Sequence, residues 1–229
     1  MLFLRSCFSY HQLPNLTYIA VLIYSLIFLR GEAEECHQYS STIEAPCFEV
    51  VLSTETYEIR MYGTPLESFW TNAYIDSEDW ATIQNDGFYK NFNYISGENN
   101  EDLTIPMTAP VLFRAAEAGG WHVSFFVPSS FESLEEIPIP DDPTVNIVSS
   151  DVRYFAVLEF GGFASEGDWE EKADELLVLL LEDSVKPVGG EWGVVYAGYD
   201  SPFVLFNRHN EVWIEIDGSS IETLRQSSL

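Results

Sequence analysis

Twice along this chain, from Phe48 and again from Thr144, the same order of signals recurs: two alternating strands, an amphipathic helix, then further strands. A repeated order restricts the fold more than any single segment does, because each unit carries apolar stripes that need a second layer to cover them. In the first unit, Phe48–Ser53 and Tyr57–Tyr62 read as a hairpin across Thr54-Glu55-Thr56, and Glu67–Ile75 as a third strand. Tyr57, Ile59 and Met61 alternate with Glu58 and Arg60, which places an apolar set on one face and a charged pair on the other. Asp76 and Ser77 are N-cap candidates for a helix expected to break near Gly87. Beyond it Phe88, Phe92 and Ile95 form one stripe, and Gly97 ends the helix. Strands follow around Val111–Ala115 and Trp121–Val127.

The second unit opens after residues 128–143, a long Pro-, Glu- and Asp-rich loop with room for one helical turn. Thr144–Ser149 and Arg153–Phe160 read as its hairpin. Asp168–Asp183 is its helix, with Trp169, Ala173, Leu176, Leu177 and Leu180 on one face and acids in the first turn, where the helix dipole favours them. Leu176–Leu181 is apolar all round, which predicts cover on two faces. Trp192–Tyr196 and Glu211–Ile216 are the last strands. The halves share order more than residues. The reading is an α+β chain of two β–β–α–β units, mostly antiparallel, with both helices outside the sheet.

Charge limits the partners. The formal net charge is −27, spread along the whole chain, and such a field repels nucleic acid and anionic lipid headgroups. It also repels any anionic ligand whose site lacks a local Arg or Lys. With 16 Phe, 12 Tyr and 6 Trp, each ring burying on the order of 150–250 Å², the chain can nonetheless build a substantial core.

Residues 1–33 read as a signal peptide. Tyr18–Leu29 is a mostly apolar run between a lone early Arg5 and the small residues of Gly31-Glu32-Ala33, shorter than the ~20 residues a membrane span needs. Secretion is therefore expected, with an uncleaved signal anchor as the alternative. Loss of this leader with Arg5, Arg30 and Glu32 would leave 8 basic and 36 acidic residues. Residues 34–44 are then an N-terminal arm and 218–229 a flexible polar tail. Cys36 and Cys47 remain; in an oxidising compartment they can pair, and two free thiols are the alternative.

Enzyme signatures are absent: there is no Gly-x-Ser-x-Gly, His-Glu-x-x-His, Cys-x-x-Cys or phosphate-cradling glycine loop. His122 on a strand is expected to bond locally, His209 to sit solvated on a turn, and His37 to lie on the arm. Among 36 acids nothing singles out a glycosidase pair. The chain reads as non-enzymatic, with no metal-binding set.

One series of matches goes further. Tyr57-Glu58-Ile59-Arg60 with Tyr62, Gly87-Phe88 with Tyr94-Ile95-Ser96-Gly97 and Asn99, and Ile105-Pro106-Met107-Thr108-Ala109-Pro110-Val111 occur in order. Val127-Pro128, Pro138 with Pro140, Phe160 with Gly162-Phe163, and Tyr196–Pro202 running on to Asn207–Trp213 complete the series. No one of these is specific, but the ordered set resembles the SOUL/heme-binding protein family, nearest its heme-binding protein 2 branch, over roughly Ile43–Ile216, which sets the expected domain at residues 45–217. The resemblance implies a distorted, mostly antiparallel β-barrel of two pseudo-symmetric halves with two flanking helices. It also implies binding of heme or another tetrapyrrole in an apolar cleft between the first helix and the loop before the last strand.

On this chain that cleft is carried by Trp80, Tyr89, Tyr199, Phe203 and Arg208. Met61 stands where some members have a histidine proposed as an axial iron ligand; a thioether can ligate heme iron, but on an alternating strand this one reads first as core. Arg208 and Glu211 could hold a ligand carboxylate, although such a pair more often caps a turn. The expectation is a secreted heme or porphyrin carrier or scavenger with weak or no iron coordination. The alternative is a secreted interaction protein that kept the barrel and lost tetrapyrrole affinity.

Overall fold

The structure is a computed structural model describing residues 38–221 except 41, 64–67 and 202. Two short strands, β1 (Gln38–Ser40) and β2 (Ile43–Glu44), pair with each other. Nine more form one antiparallel sheet: β3 (Phe48–Ser53), β4 (Glu58–Tyr62), β5 (Ser68–Ile75), β6 (Val111–Ala115), β7 (Trp121–Phe125), β8 (Val145–Ser150), β9 (Arg153–Phe160), β10 (Val194–Gly198) and β11 (Asn210–Ile216). Helix α1 (Trp80–Ile95) lies between β5 and β6, and α2 (Glu166–Glu182) between β9 and β10. A 3-10 turn at Leu134–Glu136 sits in the long loop, as its composition allowed.

The sheet order is β3-β4-β9-β11-β10-β6-β7-β5-β8. The expected hairpin of the first unit forms, with Phe48 opposite Tyr62 and Ser53 opposite Glu58. The expected hairpin of the second unit does not: β8 pairs with β5 and β9 with β4. Only Asp151 and Val152 separate β8 from β9, so the two are halves of one bent strand, antiparallel to β4–β5 across both halves. Gly63, at the bend in the partner, has φ +88°, and a Cβ there would sit 2.8 Å from the Asp151 carbonyl oxygen. Only glycine satisfies that backbone and that approach together.

This bend curls the sheet into a distorted barrel, because the strand at one end of the order runs directly into the third strand from the other. It also shows the repeat to be one strand longer than expected. β4–β5–α1–β6–β7 matches β8–β9–α2–β10–β11, with β7 on β5 as β11 is on β9. Between the halves β4 meets β9, β8 meets β5, and β6 meets β10.

Both helices cover the outer face. Helix α2 buries Trp169, Ala173, Leu176 and Leu180 against Ile59, Ala156, Leu158, Val212 and Ile214. A fully buried leucine of this kind stabilises by about 1.5–3 kcal/mol. Its start is fixed by a capping box in which Ser165 Oγ accepts from Asp168 N–H and Asp168 Oδ2 accepts from Ser165 N–H at 2.7 Å. The end expected to be covered on two faces is not: Val178 and Leu181 are 55% and 79% exposed, because the sheet reaches only the Leu176/Leu180 side.

Helix α1 starts at the cap Asp79, whose carboxylate accepts from Thr82 N–H at 2.9 Å, not at Asp76 or Ser77. It runs through Gly87 unbroken. A Cβ on Gly87 would lie 2.2 Å from Val123 Cγ2, so this glycine lets the helix close onto β7 and is no breaker. The buried stripe is accordingly Ile83, Gly87, Asn91, Tyr94 and Ile95, while Phe92, expected inside, is exposed. Asn91 ties helix to strand by donating to the carbonyls of Gly87 and Val123 at 2.7 and 2.9 Å.

The arm is stitched down at its far end: the Glu44 carbonyl accepts from Ala109 N–H and its carboxylate from Ser129 N–H, both at 2.9 Å. Cys47 is disulfide-bonded; Cys7 and Cys36 lie outside the described residues, as do the expected leader at 1–33 and residues 222–229. Residues 218–221 pack on the domain, with Ile221 in the core under α2.

Candidate functional site

The loop expected to form one wall of the cleft leaves the sheet at Gly198 and returns at Asn210. Gly198 pairs with Val111, Val111 with Phe125, and Phe125 packs on Phe88 of α1 at 5.3 Å. Loop and C-terminal half of α1 therefore stand at the same end of the sheet. Both present apolar surface to solvent: Tyr89 and Phe92 on α1, and a tip in which Phe203 is 91% and Phe206 82% exposed, with Leu205 beside them. Exposed rings contiguous with a rigid scaffold mark interaction surface in a soluble domain.

The tip's shape is held by Arg208. Its guanidinium donates to the carbonyls of Ser201, Val204 and Asp200 at 2.7, 2.9 and 2.9 Å and lies over the Phe163 ring at 4.4 Å. It thus serves the turn, the commoner use of such a residue. Trp80, at the other end of α1, is wedged between Phe113 and Trp121 at 5.3 and 5.4 Å. Met61 is half-buried on the outer face of β4, the face of Ile59, and away from Tyr62 on the inner face. So Tyr89 and Phe203 stand at the exposed end, Arg208 buttresses it, and Met61 and Trp80 lie elsewhere.

Tyr199 belongs to a polar knot under the loop, built around Glu211, which is 2% exposed. Its carboxylate accepts from Arg60 and His209 at 2.9 Å each, from the Tyr199 hydroxyl at 2.7 Å and from the Trp213 indole at 2.6 Å. Burial pushes the Glu211 carboxyl up, but the His209 hydrogen bond and the Arg60 charge outweigh it and hold it at about 2. Arg60, expected with Glu58 on the face opposite Ile59, is buried at 7% exposure, with Phe48 under its guanidinium at 4.3 Å. His209 is not solvated as expected: one ring nitrogen meets Glu211 and the other Glu159, both at 2.9 Å. Burial lowers its pKa, and the bonds and charges of the two carboxylates raise it by more. Glu159, His209 and Glu211 could in principle hold a metal ion. The four donors already on Glu211 make the trio an imidazolium clasped by two carboxylates. Tyr39 of the arm closes the knot, donating to Asp200 at 2.8 Å and packing on Tyr199 at 4.9 Å.

Inside the barrel is a cavity of about 630 Å³, within the range typical of small-molecule sites. None of Met61, Trp80, Tyr89, Tyr199, Phe203 and Arg208 lines it. Its walls are Trp70, Tyr74, Tyr62, Phe155 and Trp213; its charges are Arg114, Arg153 and, at the lip, Glu117. His122 also faces it. Ser124 donates to Asn72 at 3.1 Å and the Asn72 amide donates to His122 Nδ1 at 3.1 Å, which leaves Nε2–H as the remaining ring donor. Burial and then Arg114 lower the His122 pKa, keeping the ring neutral.

Fold and site together define a two-fold pseudo-symmetric α+β barrel with exposed aromatic surface at one end and a mainly aromatic-walled cavity inside. Residues 43–215 match the model of the SOUL heme-binding protein family, and the chain belongs to that family. Heme-binding protein 2 from Homo sapiens is 34% identical over 165 residues, covering 69% of this chain and 77% of the relative. The Mus musculus protein of that name is 32% identical with the same coverage, and heme-binding protein 1 from Sus scrofa is 29% identical over 55% of this chain and 67% of its own length.

Proposed function

We propose that this chain is a non-enzymatic carrier or scavenger of heme or a related porphyrin. The macrocycle is its cargo, held on the exposed apolar end formed by α1 and the loop tip. The observation that carries this reading is the exposure of Tyr89, Phe92, Phe203, Leu205 and Phe206 together at one end of an otherwise acidic domain of this family. A flat tetrapyrrole buries both faces against such rings. Coordination adds little: both ring nitrogens of His209 are engaged by carboxylates, His122 is turned into the barrel, and Met61 lies on the face under α2. The apolar run at Tyr18–Leu29 supports export, so the carrier acts outside the cell or tethered by that segment.

The test is titration of the mature domain with hemin and with metal-free protoporphyrin IX, following the Soret band and tryptophan quenching. Both should bind one-to-one with similar affinity. Phe203→Ser/Phe206→Ser should weaken both at least about tenfold, since each ring contributes roughly 1.5–3 kcal/mol when buried. Met61→Ala should leave the Soret spectrum unchanged. Non-saturable drift with either ligand would favour instead an interaction protein that has lost tetrapyrrole affinity.

A further inference from the structure

We infer that the barrel interior is a binding site of its own, apart from the external tetrapyrrole surface, for a small, flat, uncharged aromatic molecule bearing a hydrogen-bond acceptor. Size and shape come first. The cavity of about 630 Å³ is as large as many small-molecule sites, and its walls are rings from four strands: Tyr62 of β4, Trp70 and Tyr74 of β5, Phe155 of β9 and Trp213 of β11. These rings are set before anything binds. Tyr62 stacks on Trp213 at 4.8 Å and meets Phe155 edge-on at 5.9 Å, and Trp70 meets Phe126 edge-on at 5.4 Å. The Trp213 indole is anchored in turn by donating to Glu211 at 2.6 Å. A flat aromatic guest matches such walls without moving them, so little side-chain ordering opposes its binding.

Charge decides the class of guest. Both guanidiniums on the wall are already engaged, Arg153 with Glu215 at 3.1 Å and Arg114 in an interaction of its own. The carboxylate of the lining, Glu117, is exposed at the lip. An anion in the chamber would be buried without a cation to itself, and a cation would sit beside two guanidiniums; burying an unpaired charge is costly either way. An uncharged guest meets neither penalty. His122 then supplies direction. Ser124 donates to Asn72 and Asn72 to His122 Nδ1, both at 3.1 Å, so the ring presents Nε2–H from β7 to the cavity it lines. Burial, with Arg114 adding to it, keeps that ring neutral, so it offers a donor and no charge. A carbonyl, ether or pyridine-type nitrogen on the guest completes the bond.

The site does not depend on the tetrapyrrole reading. The probes are 2-acetylnaphthalene, its isostere 2-isopropenylnaphthalene, which lacks the acceptor, and 2-naphthoate, which carries a charge. Each is followed by quenching of tryptophan emission on the mature domain at pH 7. Saturable one-to-one binding of the ketone is expected, at least about tenfold tighter than that of the naphthoate. His122→Phe should weaken the ketone about twofold to tenfold relative to the alkene, since one neutral hydrogen bond is lost. Val148→Trp, at a half-open wall position, should block all three probes and serves if the histidine variant fails to fold. Phe203→Ser/Phe206→Ser should change none of them. Naphthoate bound as tightly as the ketone would overturn the uncharged class, and an unaltered ketone-to-alkene ratio in His122→Phe would overturn the acceptor. Unaltered binding in Val148→Trp would overturn the cavity as the site. Competitive displacement by hemin that persists in Phe203→Ser/Phe206→Ser would place the tetrapyrrole in the barrel and overturn a separate site. Absence of hemin binding with intact ketone binding would remove the carrier reading and leave this one standing.

Discussion

Arg60→Met cuts the one strong cation out of the knot around Glu211. In the wild type the Arg60 and Glu211 side chains are 9% and 2% exposed and meet at 2.9 Å, so neither can turn to water when the other is removed. The companion contact from Arg60 to Glu58 matters less, because the Glu58 side chain is 38% exposed. The Glu211 carboxyl is drawn from an ordinary 4.5 to about 2, which corresponds to about 3 kcal/mol of stability near neutral pH. Breaking a buried pair costs about 3–5 kcal/mol. The lower end applies here, because Tyr199, Trp213 and His209 still donate to the carboxylate. About 3 kcal/mol corresponds to a fall in Tm of roughly 6–12 °C for a domain of this size.

Urea and thermal unfolding followed by tryptophan fluorescence at pH 7 measure this loss. The sign with pH is fixed as well. A carboxyl depressed in the folded state stabilises above about 4.5, and that contribution is lost as pH falls through about 2. Arg60→Met removes the Arg60 share of the depression, the His209 and Tyr199 contributions remaining, so the gap between wild type and variant should narrow as pH falls from 5 to 2. A loss under about 1 kcal/mol, or a gap constant with pH, would refute the claim that this pair is a buried, mutually dependent charge. Arg60→Met/Glu211→Gln should recover at least half of the loss.

Two further substitutions test the packing. Gly87→Ala places a Cβ against fully buried Val123 and should cost a net ~1–2 kcal/mol in urea unfolding, although alanine favours a helix by ~1 kcal/mol; a stabilised variant would mean α1 can lift from β7. Leu176→Ala, at the centre of the α2 interface, should cost about 2–5 kcal/mol, and a cost below 1 would show that the helix contributes little to the core.

Faces were legible in the sequence and partners were not. Alternation at Tyr57–Tyr62 and Arg153–Phe160 reports which side chains share a side of a strand, and says nothing about which strand lies alongside. β8 and β9 therefore read as a hairpin, when the two residues between them form a bend and not a reversal. Gly87 read as a break because glycine weakens an isolated helix; contact with Val123, remote in sequence, reverses that meaning. The stripe of α2 was read correctly at Trp169, Ala173, Leu176 and Leu180, where four neighbours agree. Arg60 read only as the partner of Glu58 on the charged face of its strand, because Glu211 lies 151 residues away. The cavity left no local trace at all. Arg114 and Arg153 are single inward residues on strands from different halves, and only barrel closure brings them to one wall.

The exchange of strands between the repeats has a consequence for how the molecule holds together. β4, β5 and β6 of the first repeat all find partners in the second, so either repeat in isolation would present several open edges and half of a chamber. Neither is a module that can melt on its own, and the chain should unfold in a single cooperative step. Any molecule lodged in the interior would grip both repeats at once and act as a clasp across their seam, raising the melting point of the entire domain with the logarithm of its free concentration.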